Sequence, residues 1–200
     1  KDGFSVEEAI ADLQAAIKLE PDNSLALYWL SNLALESGDE DLSIAALDKV
    51  LAGSQPFPEA YIQRGMLKYK AGEFETAIAD FDSAIALSAE IPEAYINRGL
   101  AKEKMADFSG ALRDFSKAIR MNGSDPMAYQ FRGNTYFKMK KYEEAVKDYN
   151  VSIRLDQQNP KLFYNRALAK NNMQDDLIEA EVCTDLQRAI ELGMEDAIVT

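Results

Sequence analysis

The sequence predicts an all-α fold, built as a row of antiparallel helix pairs stacked in one dimension. Three observations carry that expectation. Four of the six prolines, Pro58, Pro92, Pro126 and Pro160, stand 34 residues apart. The segments around them repeat, as PEAYIQRG, PEAYINRG, PMAYQFRG and PKLFYNRA, and a second block follows in three of the units, as AIADFDSAI, ALRDFSKAI and AVKDYNVSI. Nowhere does the strict apolar–polar alternation of a half-buried strand appear.

Each unit reads as two helices. The proline suits a first helical turn, where its missing N–H has no bond to lose. The first helix then carries Ala60, Tyr61, Gly65 and Leu67 at helical spacing. The second carries Ala77, Ile78, Phe81, Ala84, Ile85 and Leu87, an i, i+3, i+4, i+7 stripe that needs a partner surface. Gly38 and Gly72 fall where the first helix must stop and turn. Gly65, Gly99, Gly133 and Ala167 leave room for two helices to approach closely.

Counting back 34 residues from Pro58 reaches Ser24, where SLALYWLS and SIAALDKVL fill the same positions in degraded form. Here Ser31 replaces the glycine and Leu47 the aromatic, so a less regular hairpin is expected. Glu7 to Pro21 matches only the second half of a unit. CTDLQRAIELG completes the last unit if three residues are inserted near Gln174 to Ile178. The expected organisation is one domain: residues 1–23 as the second helix of a truncated repeat, repeats at 24–57, 58–91, 92–125, 126–159 and 160–196, and a tail at 197–200. A lone second helix exposes the face its partner would cover, so the natural protein is expected to extend further N-terminally, and the segment Met194 to Thr200 is short for a cap.

Composition narrows the function. The chain has 200 residues, 34 acids against 22 bases, and a net charge of −12. That field repels phosphate, so neither nucleic acid nor an anionic membrane is an expected partner. The absence of histidine removes Ser-His-Asp and Cys-His catalysis and every His-ligated metal site. The single cysteine, Cys183, leaves no internal disulfide and reads as a buried small residue on the packed stripe. The longest apolar stretch, Leu25 to Leu30, is far too short to span a bilayer. Carboxylates such as Asp175 and Asp176 fall at surface positions without converging in pairs. No enzyme activity, metal or cofactor is expected.

The period of 34, with an aromatic at the fourth position, glycine at the eighth, alanine at the twentieth, Phe or Tyr at the twenty-fourth and alanine at the twenty-seventh, resembles the tetratricopeptide repeat (TPR). Those positions hold Tyr61, Gly65, Ala77, Phe81 and Ala84, and again Tyr95, Gly99, Ala111, Phe115 and Ala118. The resemblance covers nearly the whole chain. It implies a right-handed superhelical solenoid whose first helices line a concave groove, and a scaffold that binds other proteins. The closing CTDLQRAIELGMEDA resembles the last repeat of bacterial members, which implies a bacterial source.

One departure from the family recurs. The seventh position, usually aliphatic, holds Arg64, Arg98, Arg132 and Arg166, and the twenty-third holds Asp80, Asp114, Asp148 and Asp185. The repeat with Leu30 in place of the arginine also has Ala46 in place of the acid. This joint presence and absence predicts a structural Arg–Asp bridge inside each hairpin.

The resemblance also implies the groove residues. They are Tyr28, Trp29 and Asn32; Ile62, Gln63, Met66 and Tyr69; Ile96, Asn97 and Leu100; Gln130, Phe131, Asn134 and Phe137; and Lys161, Tyr164 and Asn165. Rings, methionine and amides suit the capture of a peptide or helical segment of a partner protein. Tyr28, Trp29, Tyr69, Phe131, Phe137 and Tyr164 are expected to be exposed, whereas Ile62, Ile96 and Leu100 read equally well as core. Lys161 and Asn165 have the spacing that opens the family's carboxylate clamp, but no further first helices follow and Glu59 and Glu93 stand where lysines are wanted, so no clamp is expected.

Charge is uneven: residues 1–91 hold 17 acids and 6 bases, residues 92–159 hold 9 and 12, and residues 160–200 hold 8 and 4. Such a gradient would orient a partner. The competing reading is a structural or regulatory segment of a larger protein, a homo-oligomer joined through exposed repeat ends or the convex face.

Overall fold

The computed structural model describes residues 5–173 and 179–194. The expected insertion at Gln174 to Ile178, with Asp175 and Asp176, and the tail beyond Met194 lie outside the described residues. Eleven helices are found among the described residues: α1 (Val6–Leu19), α2 (Ser24–Glu36), α3 (Glu40–Ala52), α4 (Pro58–Lys70), α5 (Phe74–Leu87), α6 (Pro92–Lys104), α7 (Phe108–Met121), α8 (Pro126–Lys138), α9 (Tyr142–Leu155), α10 (Pro160–Asn171) and α11 (Glu179–Glu191). The four periodic prolines each open a helix. Short polar side chains take up orphan N–H groups at other starts: Asn23, Asp39 and Asp107 each accept from the backbone three residues on.

The chain divides into two compact units, Lys1–Asn97 and Arg98–Thr200. In the first, α1 packs on α2, α2 on α3, α3 on α4 and α4 on α5. Leu27, Leu47, Val50, Ala60 and Leu67 form a buried cluster there, with Ile17, Tyr28 and Phe57 against it. In the second, α7 packs on α8, α8 on α9, α9 on α10 and α10 on α11. Ile153, Leu162, Phe163 and Ala189 form one core cluster, and Ala145, Tyr149 and Ala169 another.

Close approach explains the small residues. A Cβ at residue 65 would stand 2.6 Å from the Phe81 ring, and one at residue 99 would stand 2.7 Å from Phe115. The hairpin α2–α3 corrects the expectation of irregularity: its helices have 13 residues each, as α4 does. Ser31 and Leu47 are both fully buried. A leucine is shorter than a phenyl ring, so a serine fits opposite it. The Ser31 hydroxyl is satisfied by the Tyr28 carbonyl at 2.8 Å.

The turn that ends the first helix demands a left-handed residue. Gly38 and Gly72 supply it with φ of 83° and 84°, while Ala106 and Lys140 adopt φ of 62° and 59° in the corresponding places. A Cβ makes that conformation unfavourable.

Arginine and aspartate lock each hairpin. Arg64 donates from Nε and Nη2 to the two carboxylate oxygens of Asp80 at 2.9 and 2.6 Å. Arg98 does the same to Asp114 at 2.9 and 2.6 Å, and Arg132 to Asp148 at 2.7 and 2.7 Å. Arg166 and Asp185 pair in the same bidentate way. All four aspartates are buried. Hydrogen bonding to Asp80 raises the Arg64 guanidinium above its ordinary range against the opposing effect of burial, and Asp148 does so for Arg132.

Two further contacts belong to the lock and were not expected. A lysine four residues past the arginine reaches the same acid: Lys68 to Asp80 at 2.8 Å, Lys102 to Asp114 at 2.8 Å, Lys170 to Asp185 at 3.0 Å. The remaining arginine nitrogen crosses to the preceding helix pair. Nη1 of Arg64 donates to Asp48 at 2.7 Å, that of Arg132 to Ser116 at 3.1 Å and that of Arg166 to Asn150 at 2.7 Å. Beneath the guanidinium lies the aromatic three positions earlier, Tyr61, Tyr129 or Phe163, with centroids 5.7 to 5.9 Å away. Where the arginine is absent, Leu30 and Ala46 are both buried instead.

Cys183 corrects the sequence reading: it is exposed. The inward side of α11 is formed by Val182, Asp185, Leu186, Ala189 and Ile190, and Cys183 stands one residue, about 100° of helix rotation, away from it.

Three outcomes follow for chemical denaturation followed by circular dichroism. Gly99→Ala should lower stability by about 1–3 kcal/mol through overpacking against Phe115. Lys140→Gly should raise it by about 0.5–1 kcal/mol, because relief of left-handed strain exceeds the added freedom of the unfolded chain. Asp80→Ala should cost about 3 kcal/mol by removing the buried partner shared by Arg64 and Lys68 and leaving Arg64 only the exposed Asp48, whereas Asp48→Ala should cost less than about 1 kcal/mol.

Candidate functional site

The expected groove residues lie on one face of the first helix of each pair, because positions i, i+3, i+4 and i+7 share a side. Their arginine neighbours point the other way, into the hairpins.

In the first unit, Trp29 and Met66 are the exposed members, at 55% and 46%. Tyr28 is half-buried, with its ring edge-on to Phe57 at 5.1 Å between centroids. Burial raises its phenol above the ordinary value, the charge of Glu59 adds to that, the Asn32 side chain opposes it as a hydrogen-bond partner, and Glu93 adds a smaller push. The amides of α2 and α4 are joined: Gln63 Nε2 donates to Asn32 Oδ1 at 2.8 Å, and Ser31 donates to Gln63 Oε1 at 3.3 Å. Tyr69 is half-buried, with its ring against Phe74 at 5.5 Å. Ile96 and Asn97 are half-buried. Ile62 is a correction to the site: it is 5% exposed and belongs to the core, offering almost no area to a ligand.

In the second unit, α8, α9 and α10 line an open pocket of about 230 Å³ formed by Asn134, Phe137, Lys138, Tyr149, Asn165 and Leu168. Asn134 Oδ1 accepts from the Tyr149 hydroxyl at 2.8 Å and from Asn165 Nδ2 at 3.1 Å. Burial raises the Tyr149 phenol, and the charges of Asp148 and Glu103 raise it further, so it stays a neutral donor. Phe137 stacks edge-on against Tyr142 at 5.4 Å. Lys138 pairs with Glu103 at 2.6 Å, and the Thr135 hydroxyl meets the same carboxylate at 2.6 Å. Leu100, Gln130, Phe131 and Tyr164 are half-buried, Phe131 lying 6.0 Å from the Phe115 ring, and Lys161 is exposed.

Tyr149 is the residue that sequence reasoning missed. It comes from a second helix, where the neighbouring repeats carry Phe81 and Phe115. The signal was the pairing of a tyrosine there with asparagine at residue 134, where the two preceding repeats hold Met66 with Phe81 and Leu100 with Phe115 and the Ser24 repeat holds Asn32 with Leu47. No described helix is long and apolar enough to cross a membrane.

Family models described as tetratricopeptide repeat match residues 5–59 and 92–125, and one described as TPR repeat matches residues 65–105 and 133–174. No curated protein matches the chain. Among solved structures, MamA is 25% identical over 76% of this chain and 90% of its own, with a TM-score of 0.72. YrrB, described as a TPR protein with an unusual peptide-binding site, is 18% identical over 92% and 93% of the two chains, with a TM-score of 0.74. The Pseudomonas aeruginosa pilF protein is 20% identical over 94% and 81%, with a TM-score of 0.75. The fold is therefore the all-α solenoid of helix pairs that these proteins share, a fold of protein-interaction scaffolds.

Proposed function

This chain belongs to the tetratricopeptide repeat family, and we propose that it binds a peptide or helical segment of a partner protein on the faces of its first helices. The observation that carries this is the open pocket between α8, α9 and α10. It joins an apolar wall, Phe137 and Leu168, to amides at Asn134 and Asn165 whose orientation is fixed by Tyr149. An apolar side chain of a peptide would fill the wall, and the amides would meet its main chain. The unusual peptide-binding site of YrrB is in keeping with this use of the fold.

The reading is of a non-catalytic scaffold. The buried carboxylates Asp80, Asp114, Asp148 and Asp185 each spend both oxygens on an arginine of the same hairpin, so they serve the packing of the helices.

The test is to select binders from a displayed library of random peptides and to measure their affinity by calorimetry. A variant carrying Asn134→Ala, Phe137→Ala and Asn165→Ala should lose about tenfold or more in affinity while keeping its helical circular dichroism. A second variant, Leu87→Ala with Leu155→Ala, removes exposed apolar side chains from the second helices and should bind as the parent does. The reverse pattern would move the interface to the outer surface.

A further inference from the structure

The first-helix face of the first unit has a different chemistry from the pocket in the second. Leu25, Trp29 and Met66 are exposed there at 63%, 55% and 46%. Beside them stand Glu59 and Glu93, the opening acids of α4 and α6, both exposed. Among the described residues neither carboxylate takes part in an ion pair. Two other acids near first helices are tied down, Glu40 by Lys70 and Glu103 by Lys138, while Glu36 at the end of α2 is exposed and, like Glu59 and Glu93, in no ion pair among the described residues. Glu59 opens α4, the helix whose Gln63 is bonded to Asn32 of α2, and the negative charges of Glu59 and Glu93 both add to what raises the Tyr28 phenol. Residues 1–91 as a whole hold 17 acids against 6 bases.

These features select one kind of occupant. An acidic segment would meet like charge at close range. An uncharged apolar segment would cover Trp29 and Met66 but strip water from two carboxylates without replacing it. A basic side chain satisfies the carboxylates and is also attracted to the face of an indole ring.

We propose that this face takes a cationic segment of a partner protein, its Lys or Arg side chains held between Glu59 and Glu93 and over Trp29, its aliphatic side chains on Leu25 and Met66. The proposal rests on the reading that first-helix faces bind peptides. It assigns to this one the class of peptide it accepts.

Trp29 is the chain's only tryptophan, so its fluorescence reports on the face itself. The probes are a short synthetic peptide of Lys and Leu and two counterparts in which Glu or Gln replaces every Lys. The Lys peptide should shift Trp29 emission and bind more tightly than the Gln peptide, with the Glu peptide weakest. Glu59→Gln with Glu93→Gln should weaken the Lys peptide about tenfold, the effect of losing two exposed ion pairs together. Glu75→Gln with Glu90→Gln removes equal charge from exposed sites elsewhere in the unit and should change affinity by less than about twofold. Equal losses in the two double variants, or equal affinity for the Lys and Gln peptides, would overturn the cationic assignment and leave the peptide-binding reading standing. A Trp29 emission that responds to none of the three peptides would overturn both for this face.

Discussion

A buried aspartate in the middle of a helical hairpin is a liability unless a cation meets it with correct geometry. The four found among the described residues are met by arginines from the facing helix, each using two nitrogens on two oxygens. The charge centre is then shared by a lysine in three of the four and covered by an aromatic ring in at least three. Removing any one member leaves the others short of a partner, so the parts are coupled and do not contribute independently. The arginine's last nitrogen reaches the preceding helix pair at Asp48, Ser116 or Asn150. One side chain thereby closes a hairpin and ties it to its neighbour.

The lock also shapes the opposite face of the first helices. Arginines and aspartates occupy the sides of the helices that face one another, so the opposite side of each first helix is free of that network. Amides bridge adjacent first helices there, Gln63 to Asn32 and Asn165 to Asn134. An amide that spends one group on its neighbour keeps others for a ligand, and its orientation is set before the ligand arrives. The result in the second unit is a polar corner beside an apolar wall. In the first it is a ring and two carboxylates.

The repeat length, the helix starts at Pro58, Pro92, Pro126 and Pro160, and the arginine–aspartate partnership were legible because they recur at one period. The partnership was doubly legible because Leu30 and Ala46 depart from it together. Lys68, Lys102 and Lys170 share the period too, yet a lysine late in a helix is equally at home in water, so its spacing alone did not identify it as part of the lock. The acceptors Asp48, Ser116 and Asn150 were hidden by their variety, since a guanidinium N–H accepts carboxylate, hydroxyl and amide partners alike. Ala106 and Lys140 concealed a backbone requirement that Gly38 and Gly72 displayed. Ser31 and Leu47 are both buried in a hairpin whose helices have the usual length, although a position-by-position comparison reads them as damage. Cys183 went astray, and Tyr28, Tyr69, Phe131, Phe137 and Tyr164, expected to be exposed, are half-buried, for one shared reason: a helix position is set by its rotation against real neighbours, and a half-turn boundary between stripe and surface is too coarse to place a residue at its edge.

Why a charged lock is used at all is answered within the same chain. Leu30 and Ala46 fill the equivalent space with apolar contact, and the hairpin around them has helices of the usual length. An ion pair is therefore not needed for a hairpin to form, and burying one carries a desolvation cost that apolar packing avoids. What the apolar solution lacks is direction. Leucine on alanine tolerates a small slide or rotation of one helix along the other with little loss. A guanidinium does not: its Nε and Nη2 must meet one carboxylate while Nη1 meets an acceptor on the previous pair, and a shift of a single helical step strands at least one of them. Slid or rotated arrangements of the same two helices are the competitors that this geometry excludes. A contact that is favourable in only one register penalises those competitors, which gives the arginine a role that its net contribution to stability would not reveal.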